Sequence, residues 1–259
     1  MCGIIGIIGS TREGEWGQTH RLLTELLVQS IGRGRDATGF AAVAQPYGNE
    51  LRRQLITDKS PVPADEFTST NPFWRALRHQ RCAAVLGHVR AATSGSPSHV
   101  PNNHPHLLFG RRMALVHNGW INNVSAMVNR FSLHLRTECD SEVAARLIED
   151  AGGLPIGLYR CLAELNGAMA LVVLDSSTGT FWAATDGNRP LWVARLSDGR
   201  RTVLASTPEI IERAIHKTFR QPYGVVRDIF PIAPGYVHAI SVDGRVAVAY
   251  SRLFSRGMV

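Results

Sequence analysis

The sequence predicts an α+β fold built from mainly antiparallel sheets covered by helices. Three observations carry this expectation. Short strand-like runs recur along the chain at hairpin-like spacing. A smaller number of segments carry helical periodicity. Of the 259 residues, 44% are hydrophobic, enough for one sizeable core.

The elements follow in order. The opening run, residues 4–8, is apolar and closes on Gly, as a buried first strand would. Residues 39–44, 83–88 and 113–117 complete a first set of strands. A second set covers 168–175, 180–185, 191–194, 202–205, 236–241 and 245–250. The last two flank Val242-Asp243-Gly244, a good hairpin turn. Helical patterns fit 18–30, 122–131, 141–149, 155–165 and 208–214. Pro155 and Pro208 suit first helical positions, where a missing N–H costs nothing. The densest loop chemistry lies at 93–105, rich in Gly, Ser, Pro and Asn, and a second loop-like stretch covers 58–72. Neither resembles a long flexible linker, and there is no internal repeat, so one domain over residues 1–259 is expected.

Composition excludes several classes. No apolar run is long enough to span a bilayer, and the apolar start has no basic region before it, so neither a membrane span nor a signal peptide is expected. The four cysteines, Cys2, Cys82, Cys139 and Cys161, form no CxxC pair. Reduced thiols in a cytoplasmic protein are the expectation. The net charge of +7 is nearly all arginine, since Lys59 and Lys217 are the two lysines. No basic run is interleaved with aromatics, so direct nucleic-acid binding is not expected, although a basic surface suits an acidic or nucleotide-handling partner.

Cys2 follows Met1 directly. Removal of the methionine would leave one residue with a thiol and a free α-amine, whose reference pKa values lie near about 8.5 and 8. A neutral amine can take the thiol proton, so the residue supplies both nucleophile and base. Alone, Cys2 reads more readily as a small buried hydrophobe in an apolar strand.

The wider pattern decides between these readings. The opening Met-Cys-Gly-Ile-Ile-Gly resembles the start of class II glutamine amidotransferases, the cysteine members of the N-terminal-nucleophile hydrolases. Later segments resemble that family's elements in its order: Arg33-Gly-Arg-Asp-Ala-Thr-Gly39, Gly87-His-Val-Arg-Ala-Ala-Thr93, His117-Asn-Gly119, Asp140-Ser-Glu142, Asp186-Gly-Asn-Arg-Pro-Leu191, Ala205-Ser-Thr-Pro-Glu209 and Pro234-Gly235. Each motif is weak by itself. Together, with cysteine at position 2, they cover about residues 2–250.

The resemblance implies a four-layer αββα sandwich, two stacked sheets with helices outside. It also implies roles. Cys2 would attack the side-chain carbonyl of L-glutamine and form a γ-glutamyl thioester that water resolves. Asn118 and Gly119 match the oxyanion hole, although Asn-Gly by itself is a common turn. Arg90 would clamp the α-carboxylate with its guanidinium fork, and Asp140, also placed to cap a helix, would accept from the α-ammonium. Thr93 and Ser94 would lie in the loop over the substrate. Arg33 and His88 would support the nucleophile, with Asp36 read as structural.

The sequence departs from the family at Ala91, where relatives carry a bulky aromatic, and at Ser94, which replaces a common histidine. Both changes put shielding and coupling to a synthase in doubt. His88, His104, His106 and His117 make no convincing metal set, because carboxylate partners at zinc-like spacing are missing, and the family's catalysis needs neither metal nor cofactor. After about residue 250 no residues remain here for an ammonia-consuming domain. The expected partner is therefore a separate ammonia-accepting synthetase subunit, with deazapurine amidation as one example; a homo-oligomer stays open. Two alternatives remain at this point: a hydrolase of a γ-glutamyl amide, and a catalytically silent scaffold on the same fold.

Overall fold

A computed structural model describes residues 1–12, 14–45 and 55–251. Two antiparallel sheets lie face to face. The first has seven strands in the order β11 (Val226–Pro231), β9 (Trp192–Leu196), β10 (Arg201–Ala205), β1 (Gly3–Gly9), β4 (Cys82–Arg90), β2 (Ala37–Ala44) and β3 (Leu55–Ser60). The second has six: β13 (Val246–Ser251), β12 (Tyr236–Ile240), β8 (Thr180–Thr185), β7 (Gly167–Asp175), β6 (Met113–Ile121) and β5 (His106–Leu108).

Strand alternation builds the layers. Successive side chains point to opposite faces, so a strand buried on both sides serves two cores. In β1, Ile5 and Ile7 join a cluster with Leu22, Leu23, Leu26 and Leu27 of α1 (Trp16–Gln29) and Ile211 of α7 (Pro208–Thr218). Ile4 and Ile8 point the other way, into the space between the sheets, with Leu86, Val116, Val172 and Phe181. A third cluster lies beyond the second sheet, where Leu171 and Val173 meet Val143, Leu147 and Ile148 of α5 (Ser141–Asp150) and Leu158 of α6 (Ile156–Glu164). The result is the expected αββα sandwich. The sheets approach closely at Gly6, where a Cβ would come within 2.9 Å of the Phe181 ring.

Several expectations need correction. Residues 58–72, read as a loop, contain the end of β3, then α2 (Ala64–Thr70) and the start of α3 (Pro72–Ala76). Asn71 caps α3 by accepting from the Trp74 N–H at 2.9 Å, and the Pro/Ser/Thr content hid these short helices. Pro155 sits one residue before α6 rather than inside it, whereas Pro208 does open α7. β3, β5 and β11 were not foreseen. The loop at 93–105 holds only a short 3₁₀ turn, Val100–Asn102. Among the described residues, no helix is long and apolar enough to cross a membrane.

Candidate active site

The start of β1, the end of β4 and the end of β6 meet at one end of the sandwich, and hydrogen bonds tie them together. Cys2 immediately precedes β1 and is 7% exposed. Its Sγ accepts from the Ala91 N–H at 3.4 Å and contacts the Ala91 carbonyl oxygen at 3.5 Å. Burial pushes the thiol above its ordinary pKa, while the Ala91 backbone, the amino terminus and Arg90 pull it back. A thiol held protonated needs a base beside it, which a free α-amine on Cys2 would supply. Met1, which occupies that amine, is 66% exposed and open to removal.

The segment after α1 braces this end. Arg33 Nε donates to the Cys2 carbonyl at 2.8 Å. Gly34 lies so close to the end of β4 that a Cβ there would sit 2.4 Å from the Arg90 carbonyl carbon. The Asp36 N–H donates to the Arg90 carbonyl at 2.9 Å, and its carboxylate accepts from the Ala92 N–H at 2.7 Å. The Arg33–Gly39 motif thus holds residues 90–92 in place, and Asp36 has the structural role expected of it.

His88 reaches between the sheets, its Nε2 lying 2.9 Å from the His117 carbonyl oxygen. Burial pushes its imidazole down to about 3, so the ring is neutral and donates from Nε2 to that carbonyl. The next residue on β6, Asn118, is fully buried, and neither its Oδ1 nor its Nδ2 has a partner among the described residues. Such an orphaned amide is costly unless something fills the space before it. Gly119 has φ +148°, and a Cβ there would lie 1.7 Å from the Ala168 carbonyl oxygen, so no other residue fits. The His117 ring is fixed from behind by a 2.8 Å hydrogen bond between its Nδ1 and Ser141 Oγ.

Asp140 occupies the N-cap position of α5 without making a side-chain cap. Its Oδ2 accepts from the Ile121 N–H at 2.7 Å, and its Oδ1 accepts from Ser94 Oγ–H at 2.9 Å. It therefore joins the loop over the site to the end of β6. The two residues line a cavity of about 340 Å³ with Cys139, Glu138 and Ile121. Thr93 is exposed in the same loop.

Arg90 is tied to the loop that follows it. It is 2% exposed, and its guanidinium donates to Asn103 Oδ1 at 2.7 Å, to the Gly95 carbonyl at 3.0 Å and to the Ser94 carbonyl. Both terminal nitrogens of the guanidinium expected to clamp a substrate carboxylate donate to the loop at 94–103. Asn103 was not singled out from the sequence, since an asparagine in a Pro/Asn-rich loop carries no signal of its own.

Two residues noted only as members of motifs take definite places. Glu142, 1% exposed, accepts from the N–H groups of Arg136 and Thr137 at 2.8 and 2.7 Å and fixes the loop ahead of Asp140. Arg189 stacks over Trp120, the residue after Gly119, with 4.6 Å from Cζ to the ring centroid. Cys139 approaches His104 and His106, so the histidines set aside as a metal set acquire a thiol neighbour 33 residues beyond His106.

Comparison with known proteins bears on the family and the fold. A family model described as a glutamine amidotransferase domain matches residues 98–213. The glutamine–fructose-6-phosphate aminotransferase (isomerizing) of Thermus thermophilus is 31% identical over 240 residues, which is 88% of this chain and 35% of that protein. The enzyme of the same name from Leifsonia xyli is 30% identical, over 82% of this chain and 33% of that protein. The chain thus spans about a third of the length of these curated relatives. Among solved structures, the glutamine phosphoribosylpyrophosphate amidotransferase of B. subtilis superposes with a TM-score of 0.69 at 21% identity, covering 95% of this chain and 49% of that one. This last likeness shows the shared fold.

Proposed function

The chain is a class II glutamine amidotransferase domain of the N-terminal-nucleophile type, and we propose that it hydrolyses the side-chain amide of L-glutamine through a thioester on Cys2. The observation that carries this reading is the buried thiol of Cys2, packed on the end of β4 at the same end of the sandwich as the unpartnered amide of Asn118. With Met1 removed, the α-amine takes the thiol proton as sulfur attacks the γ-carbonyl, then returns it to the departing ammonia. The carbonyl oxygen becomes an oxyanion that the Asn118 amide N–H and the Gly119 backbone N–H are suited to stabilise; losing one such donor costs about 10²–10³ in rate. Water then cleaves the thioester to glutamate.

Asp140 is suited to the substrate ammonium, because it lines the cavity and its Oδ2 accepts from the Ile121 N–H alone, while Ser94, Ser141 and Cys139 gather at Oδ1. Arg90 is assigned a positioning role. It secures Ser94 and Gly95, and through Ser94 the Asp140 carboxylate. The ammonia passes to an acceptor domain, fused or separate. The curated relatives are named for amination of fructose 6-phosphate.

The test is release of glutamate and ammonia by protein processed to begin at Cys2, with Cys2→Ala as control. Equal release by the two proteins would refute the reading.

A further inference from the structure

His104 and His106 flank Pro105 at the start of β5, and Cys139 comes from the loop before α5. All three are buried, and one donor atom from each lies within 4.8 Å of the others. Both ring nitrogens of His104, and Nε2 of His106, have no hydrogen-bond partner among the described residues. Three orphaned imidazole nitrogens on two fully enclosed side chains are an expensive arrangement if nothing accepts their lone pairs or protons.

The scaffold around them is well braced. Lys59 Nζ donates to the carbonyls of Pro101, Asn103 and Pro105 at 3.2, 2.5 and 3.1 Å, which fixes the chain on either side of His104. Glu142 fixes residues 136 and 137 just ahead of Cys139. The His104 ring is also held between its neighbours, 4.1 Å from the His88 centroid and 4.7 Å from that of His106. Arg90 Nη2 lies 4.0 Å from Cys139 Sγ.

We propose that His104, His106 and Cys139 form a metal site for a borderline-to-soft divalent cation of the zinc type, separate from the Cys2 nucleophile. Two imidazoles and a thiolate match that class of ion and not Mg²⁺ or Ca²⁺, which require oxygen ligands. Bonds of about 2.0–2.1 Å to nitrogen and about 2.3 Å to sulfur place tetrahedral donors roughly 3.5 Å apart. The three side chains therefore close by about 1 Å on binding, a movement that Cys139, outside any helix or strand, can supply. Cys139 also lines the 340 Å³ cavity. Binding forms one metal–sulfur and two metal–nitrogen bonds, breaks the S–H bond of Cys139, and releases that proton to solvent.

The test is a cobalt(II) titration of the full chain carrying Cys2→Ala, which removes the competing thiol. One equivalent should bind with a thiolate-to-cobalt charge-transfer band and the strong visible bands of a tetrahedral site, and Zn²⁺ should displace it. Adding Cys139→Ser should abolish the charge-transfer band, and adding His106→Gln should weaken cobalt binding about tenfold or more. Absence of the band in the Cys2→Ala protein overturns the proposal, as does a band that survives Cys139→Ser. Unchanged affinity with His106→Gln in a folded protein, checked by circular dichroism, overturns it as well.

Discussion

At the scale of single residues, the site depends on groups whose environment sets their chemistry. Burial raises the Cys2 thiol, so in a chain that retains Met1 the thiolate is scarce at neutral pH. The sign follows directly: thiolate is the reactive form, so alkylation by iodoacetamide should be slow near neutrality. Its rate should rise with pH through a midpoint above that of free cysteine. A midpoint at or below the free-cysteine value, measured by mass spectrometry of the Cys2 peptide, would contradict this environment. Asn118 is predicted to act through its amide alone. Asn118→Ala should lower kcat about 10²–10³-fold with little change in KM, and a change in KM alone would remove it from the oxyanion site. Arg90 was legible as important, but its partner was not. From sequence it is an arginine after an apolar strand, and only the fold shows Asn103, Ser94 and Gly95 taking up its N–H groups. Arg90→Lys cannot reproduce that fork. It should raise KM for glutamine and speed proteolysis of the 94–103 loop, and an unchanged cleavage rate in limited proteolysis would argue against loop positioning.

At the scale of elements, the strands that carry chemistry were the ones the sequence revealed. β1, β4 and β7 are buried almost throughout and β6 is buried over residues 114–118, and such apolar runs stand out without any partner being known. The missed strands are different. β3 and β11 lie at sheet edges and are mostly half-buried, and β5 has three residues, so their period-2 signal is weak. The helices α2 and α3 were hidden because seven and five residues are too few for helical periodicity to show, and only α3 carries a side-chain cap. Motif residues such as Asp36 and Glu142 could be located but not explained, because their partners are backbone N–H groups that no sequence displays. Gly119 gives a sharp prediction at this scale. Its Cβ would fall 1.7 Å from the Ala168 carbonyl oxygen, so Gly119→Ala must force β6 from β7. The expected loss is about 3 kcal/mol or more, readable as a lower urea midpoint; a wild-type midpoint would show that the strand pair has room.

At the scale of the whole molecule, the candidate site exists because two sheets are held in one register. Cys2 and Arg90 belong to the first sheet, Asn118 to the second, and the packing between them is apolar, with Phe181 and Ile4 fully buried at its centre. Phe181→Ala should cost about 3–5 kcal/mol and reduce activity together with stability. The same architecture explains why the relatives' fold is recognisable at low identity: alternation builds the layers, while the chemistry rests on a few strand ends. The central claim is that Cys2 becomes acylated by glutamine. Its most direct test is to expose the processed protein to a glutamine analogue bearing an electrophile at the γ-position and then analyse the peptides by mass. The account predicts one adduct per chain, on the peptide beginning at Cys2, suppressed by excess L-glutamine. An adduct on Cys139, Cys82 or Cys161 instead, or one that glutamine does not suppress, would contradict it.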